Sequence, residues 1–336
     1  MNRKSFKTLV RLILFLALLA LFTSCCAVPL SLSEDEDAVL HVVTTIFPPY
    51  DFTRELSLGT GVSVVQLLKP GCESHTFDPS PKDILTVRNC DVFLCTGGES
   101  DAWVDTLLDA ADNSEIKVLR MISCVDTLEE EITEGMTVHE HEDAHGHEHA
   151  SSDDSDEIEY DEHVWTDPNQ VMKICCKITD VLCELAPDDA DIFRSNLDVY
   201  LGKLKALDER FSGIVDTAAR KTVVFGDRFP FRYLCDAYGI SYRAAFPGCA
   251  AESEPSAATM AFLIEKIRSE KIPVVFTIEM SNGKIAQAIA EETGAEVRML
   301  HSCHNRTAEE AEKGKTFLEL MEENADVLGE ALGSDS

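Results

Sequence analysis

Between Pro187 and Arg220, apolar residues recur as Phe193, Leu197, Tyr200, Leu201, Leu204, Leu207, Phe211 and Ile214. The spacings are three and four, so one face of a single helix is apolar. The opening PDDADIF supplies Pro and Asp for its first turn. A helix of some 30 residues spans about 45 Å, longer than one small lobe. It must therefore bridge what lies on either side, and both sides show the same pattern. Before it, VLHVVTTIF, VSVVQLL, DVFLCTGG and IKVLRM read as strands, with helices at DPSPKDILTVRNC and AWVDTLLDAA. In the first of these helices Ser80 is placed as N-cap, with Pro81 and Asp83 in the first turn. Beyond the long helix, KTVVFGD, ISYRAAF, IPVVFTIE and AEVRML alternate with helices closed by Gly239 and Gly294. Alternating strands and helices predict an α/β fold: two lobes with mainly parallel sheets, joined by a long rigid helix.

Residues 1–25 are expected to be a signal peptide. Arg3, Lys4, Lys7 and Arg11 precede the apolar run Leu12 to Phe22. Eleven residues rise about 16 Å as a helix, short of the roughly 30 Å hydrocarbon core. The run ends in FTSCC, where small residues before a cysteine resemble a bacterial lipoprotein cleavage site. Cys25 is the expected acylated residue, with Cys26 as the alternative. The polar stretch 26–38 is a tether. The N-terminal lobe is assigned to 39–186, the linker helix to 187–220 and the C-terminal lobe to 221–332.

Lys and Arg number 29 against 61 Asp and Glu, a formal net charge of −32. That excludes nucleic acid, which demands basic patches. It also disfavours docking on anionic lipid, so membrane attachment must come from the lipid anchor. A negative field raises the local concentration of cations. Twelve cysteines are present, ten of them after Cys26, with no CxxC pair. They are expected to be mostly buried free thiols rather than a disulfide framework.

From 126 to 162 the α/β pattern stops, Lys and Arg vanish, and a disordered insertion rich in acids and histidines is expected. Within it HEHEDAHGHEH carries His139, His141, His145, His147 and His149, half of the chain's ten histidines. His141, Glu142 and His145 match the zinc-protease pattern HExxH, which requires a helix. Gly146 follows at once and no apolar residue repeats at helical spacing. The stretch therefore reads as a flexible set of weak metal ligands.

The remaining histidines are His41, in the first strand, and four in loops. His75 and the pair His301 and His304 follow strands, and His163 precedes a helix. Open α/β sheets bind ligands at the carboxyl ends of their strands. Loops distant in sequence are thereby expected to bring neutral imidazoles together between the lobes.

The ordered pieces TTIFPPYDFTREL, LLKPGCESHTFDPSPKDI, DVFLCTGGESDAWVDTLL, DEHVWTDPNQV and AQAIAEETGAEV resemble the metal-binding solute-binding proteins of zinc and manganese ABC importers. The likeness runs from about Val39 to the C-terminus. It implies a metal held between two lobes, a membrane permease as partner, an extracytoplasmic lipid-anchored location, a monomer, and no catalysis. It assigns metal ligands to His75 and His163. The family's third ligand falls on Gly226, a departure, and the fourth on His301. The gap near Gly226 is left to water, Asp227, Glu252 or His304.

Imidazole-rich sites suit Zn²⁺, carboxylate-rich ones Mn²⁺. Zinc is therefore the expected cargo, with a manganese carrier as the alternative. A secreted zinc-dependent hydrolase would exploit an open coordination position at the Gly226 gap, but no nucleophile or oxyanion pattern is evident. A surface adhesin rests on family analogy alone.

Overall fold

The computed structural model describes residues 38–73, 77–136, 159–248 and 254–334. The leader, Cys25, the tether up to residue 37 and the histidine cluster 139–149 lie outside them. The N-terminal lobe is built from β1 (Leu40–Thr44), α1 (Phe47–Leu56), β2 (Val62–Gln66), α2 (Pro81–Arg88), β3 (Val92–Cys95), α3 (Val104–Ala111) and β4 (Lys117–Arg120). Its sheet runs β2-β1-β3-β4, all parallel. After α4 (Pro168–Leu185) and α5 (Ala190–Thr217) come β5 (Thr222–Arg228), α6 (Arg232–Tyr238), β6 (Ser241–Phe246), α7 (Ala257–Glu270), β7 (Val274–Thr277), α8 (Lys284–Thr293) and β8 (Glu296–Met299). This second sheet runs β6-β5-β7-β8, also parallel. The two lobes repeat one strand order, and in each the order reverses beside the first strand. There the loops at the carboxyl ends of the strands open a crevice.

The central strands are buried on both faces, as VFLC of β3 is throughout. That explains why they read as unbroken apolar runs. Helix α2 starts as expected: Ser80 accepts from the Asp83 N–H while the Asp83 side chain accepts from the Ser80 N–H, a reciprocal cap. Helix α1 is less legible, because it carries Pro48 and Pro49. Prolines are tolerated there because first-turn N–H groups have no helical partner to lose.

The spine is α5, 28 residues long, about 42 Å at 1.5 Å per residue. A short 3₁₀ turn, Pro187–Asp189, leads into it. It buries Phe193, Tyr200, Leu204, Leu207, Phe211 and Ile214 in one apolar cluster shared with both sheets, α4 and the C-terminal helix Phe317–Leu332. Phe52 of α1 packs edge-on against Phe317 with centroids 4.9 Å apart. The Phe317 N–H donates to the Asp51 carboxylate at 2.8 Å. Burial pushes the Asp51 carboxyl up to about 6. Such a continuous core makes the joint between the lobes stiff.

The described cysteines are all free thiols. Five of them are buried, among them Cys175, Cys235 and Cys303, while Cys72 is exposed. The expected disordered insertion is ordered at both flanks. Glu129 bridges Tyr160 antiparallel, and the Glu130 and Asp161 N–H groups donate to Glu159 O and Leu128 O at 2.9 Å each. The Tyr233 hydroxyl accepts from the Leu128 N–H and donates to Asp161 O, tying the flanks to the C-terminal lobe.

Candidate metal centre

The segment DEHVW, residues 161–165, enters the crevice just ahead of α4 and is fully buried. Asp161 Oδ1 accepts both the backbone N–H of His163, at 2.8 Å, and its ring Nδ1–H, at 3.1 Å. That contact puts the ring proton on Nδ1 and leaves the lone pair on Nε2. Nε2 is buried and has no hydrogen-bond partner among the described residues. Burial alone would lower the His163 pKa, but Asp161, Glu162 and Glu130 outweigh it and hold it above its ordinary value.

Facing His163 is His304, from the loop after β8. The rings stand at 90° with centroids 5.2 Å apart, and Trp165 packs against both. The His304 loop is pinned from below. The Trp165 indole donates to Ser302 O at 2.8 Å, and the Ser302 N–H and hydroxyl both donate to Glu279. Met280 and Cys303 beside it hold φ near 61°, a strained conformation for side-chain-bearing residues that a rigid surrounding sustains. The loop also holds the opposite lobe: Asn305 Nδ2 donates to Lys69 O and Cys72 O at 2.7 and 3.0 Å, and the Gly71 N–H donates to Arg306 O. The stretch that runs into His75 is thereby fastened to the His304 loop. A cavity of about 20 Å³ lies between, lined by Glu73, His163, Arg228, Glu279, Met280 and His304 among others. That is room for one water or one ion.

Among the described residues, Glu162, His163 and His304 form one group of buried ligand atoms within 4.8 Å of one another. His75 and Glu252 lie outside the described residues. His301, expected in the same site, has its ring nitrogens turned to protein partners. Its Nδ1 accepts from the Cys303 N–H at 2.9 Å and its Nε2 faces Glu310 at 3.3 Å. Both nitrogens are engaged, so no lone pair is offered to the crevice. The hydrogen bond from His301 holds the Glu310 carboxyl down at about 2. The residue brought to the cavity is His304, three positions on. Asp227 is likewise turned to the scaffold: it accepts from the Thr277 hydroxyl at 2.7 Å and from the Arg228 N–H at 3.0 Å. Nor is there space for a larger side chain at Gly226, where a Cβ would lie 2.5 Å from the Cα of Ala286 on α8. Glu162 was not singled out by sequence reasoning, although it sits beside His163 in the acidic DEH triplet.

Two parallel α/β lobes with imidazoles meeting in the crevice define a two-lobed binding protein of the metal type. The chain belongs to the ZnuA family, zinc-uptake complex component A periplasmic, whose model matches residues 42–331. It is 30% identical over 319 residues to the zinc-binding lipoprotein AdcA of Streptococcus pneumoniae, covering 94% of this chain and 60% of that one. It therefore spans about 60% of the length of the first curated relatives it matches. It is 27% identical to the high-affinity zinc uptake system protein ZnuA of Bacillus subtilis, covering 87% of this chain and 88% of that protein. Among solved structures, the Zn(II)-bound ZnuA-like domain of S. pneumoniae AdcA superposes with a TM-score of 0.69 at 27% identity, over 87% of this chain and 98% of that one. The metal-dependent lipoprotein YcdH of B. subtilis gives 0.70 at 26%, over 87% and 99%.

Proposed function

We propose that this protein is an extracytoplasmic solute-binding protein that captures Zn²⁺ between its lobes and delivers it to an ABC importer permease, catalysing no reaction. The observation that carries the reading is the Asp161-oriented His163, whose buried Nε2 has no partner among the described residues and whose ring stands edge-on to a second imidazole lining the same small cavity. His163 and His304 are the ligands assigned within the described residues, and His75 is assigned with them from its motif. The zinc named for the relatives AdcA and ZnuA supports the choice of metal, as does the predominance of imidazole. Cys25 would anchor the chain by its lipid on the outer face of the membrane. No helix among the described residues is long and apolar enough to cross one.

The chain's own groups explain capture. Zn²⁺ is admitted only to a neutral imidazole, and Asp161 presents His163 in the correct tautomer. The stiff core restricts closure to the loops. The histidine-rich stretch precedes His163 in the chain, and the described residues resume at 159, just before that ligand. Ions held weakly there would be released beside the site. Equilibrium dialysis with metal analysis tests the reading: one Zn²⁺ per chain should survive challenge by a chelator, and zinc should outcompete manganese. A preparation that hydrolyses test esters or phosphates in proportion to bound zinc would favour an enzyme instead.

Protonation opposes binding. The His163 pKa lies above its ordinary value, so zinc affinity should begin to fall above pH 6.5, the unperturbed histidine value, and continue falling with acidification. Titrations from pH 8 to 5 check this; affinity unchanged between pH 5 and 7.5 would rule out histidine ligation. Deleting 139–149 should leave the tight site and remove only weak ones, and loss of the tight site would refute that division of labour.

A further inference from the structure

We infer that Glu162 is a metal ligand of this crevice, the carboxylate that takes over from the family ligand absent at Gly226. The inference rests on the zinc-binding reading above and adds a ligand to it. Three observations carry it. First, Glu162 is fully buried, and its two oxygens have different surroundings. Oε2 accepts from the Ser100 N–H at 3.0 Å, while Oε1 is buried without a hydrogen-bond partner among the described residues. A buried carboxylate oxygen left bare is costly unless a cation meets it. Second, Glu162 offers an oxygen within 4.8 Å of ring nitrogens of both His163 and His304. The bare group is thus beside the two imidazoles rather than in an unrelated corner.

Third, the N-terminal lobe makes room for it. Gly98 has an ordinary negative φ of −93°, so its backbone does not demand glycine. A Cβ at that position would land on the Cβ and Oε2 of Glu162. The glycine lets the turn after β3 approach closely enough for the Ser100 N–H to grip one oxygen, and this grip orients the other. At Gly226 the reverse holds, since α8 backbone fills the space a ligand's Cβ would need. The carboxylate therefore enters from the N-terminal lobe, on the residue preceding a histidine ligand. With the two imidazoles it makes a mixed nitrogen and oxygen donor set of the kind zinc accepts. It also places one negative charge directly on the dication.

The test uses the full chain, a chromophoric chelator competing for Zn²⁺, and the visible absorption of the Co²⁺-loaded protein. Glu162→Gln keeps shape and the Ser100 contact but removes the charge. It should leave the thermal unfolding midpoint close to that of the parent, weaken zinc by about 100-fold or more, beyond what outer partners of a metal ligand usually contribute, and alter the cobalt spectrum. Gly98→Ala should likewise weaken zinc and alter the cobalt spectrum with Glu162 still present, by pushing the carboxylate aside, and its steric clash should also lower the unfolding midpoint. The inference is overturned if Glu162→Gln binds zinc within threefold of the parent. A weakened affinity with an unchanged cobalt spectrum overturns it too, since Glu162 would then be a nearby charge and not a ligand. His163→Ala separates the two levels. If Glu162→Gln is silent while His163→Ala loses zinc, only the Glu162 assignment fails; if His163→Ala is silent as well, the zinc site itself is misplaced.

Discussion

Replacing His163 by Ala should weaken zinc binding by about 10³-fold or more, roughly 4 kcal/mol at 1.4 kcal/mol per decade. The side chain contributes a buried Nε2 with no other partner among the described residues, held in the binding tautomer by Asp161. His304→Ala should produce a comparable loss, and His301→Ala should not, because the His301 nitrogens are spent on Cys303 and Glu310. Asp161→Asn keeps the shape but weakens the grip on Nδ1, so a loss of about 10- to 100-fold is expected, as for other outer partners of metal ligands. Competition titrations on the four variants give the ranking. If His301→Ala lost zinc as heavily as His163→Ala with the fold intact, the geometry of the β8 loop described here would be wrong.

The second large effect concerns stability. Restoring a family-like ligand by Gly226→His should not improve binding; it should damage the C-terminal lobe. A Cβ there meets the Ala286 Cα at 2.5 Å and the Ala286 N at 2.6 Å. These are backbone atoms of α8, packed on the central strand β5, and no rotamer change relieves the clash. Even Gly226→Ala is expected to cost about 3 kcal/mol, the upper end of ordinary overpacking. In urea the unfolding midpoint should move sharply down with the slope little changed. A Gly226→His protein with the parent's midpoint and tighter zinc binding would show that the helix gives way, and that the site is more adaptable than its packing implies.

These two positions also mark where sequence reasoning stops. His163 was legible because its motif is local: the acid that orients it, the tryptophan that packs it and the helix that follows all lie within a few residues. His301 and His304 were not separable from sequence. Both lie in LHSCHN after the last strand, and the choice between them depends on a left-handed turn at Cys303 and on Glu279 and Asn324, distant in the chain, which grip Ser302 and the backbone of His301. Glu162 was passed over for the same kind of reason. Its meaning comes from a glycine 64 positions earlier in the chain, whose missing side chain no pattern can announce.

The amino-acid order alone determined the alternation of strands and helices, the spine and the loops at strand ends, because period-2 and period-3.6 patterns and end caps are short-range properties of the chain. Which imidazole turns inward, which carboxylate is left bare and which position is closed to any ligand were decided only by tertiary structure. Those outcomes depend on sub-ångström clearances between elements far apart along the chain, and a linear pattern does not encode clearance.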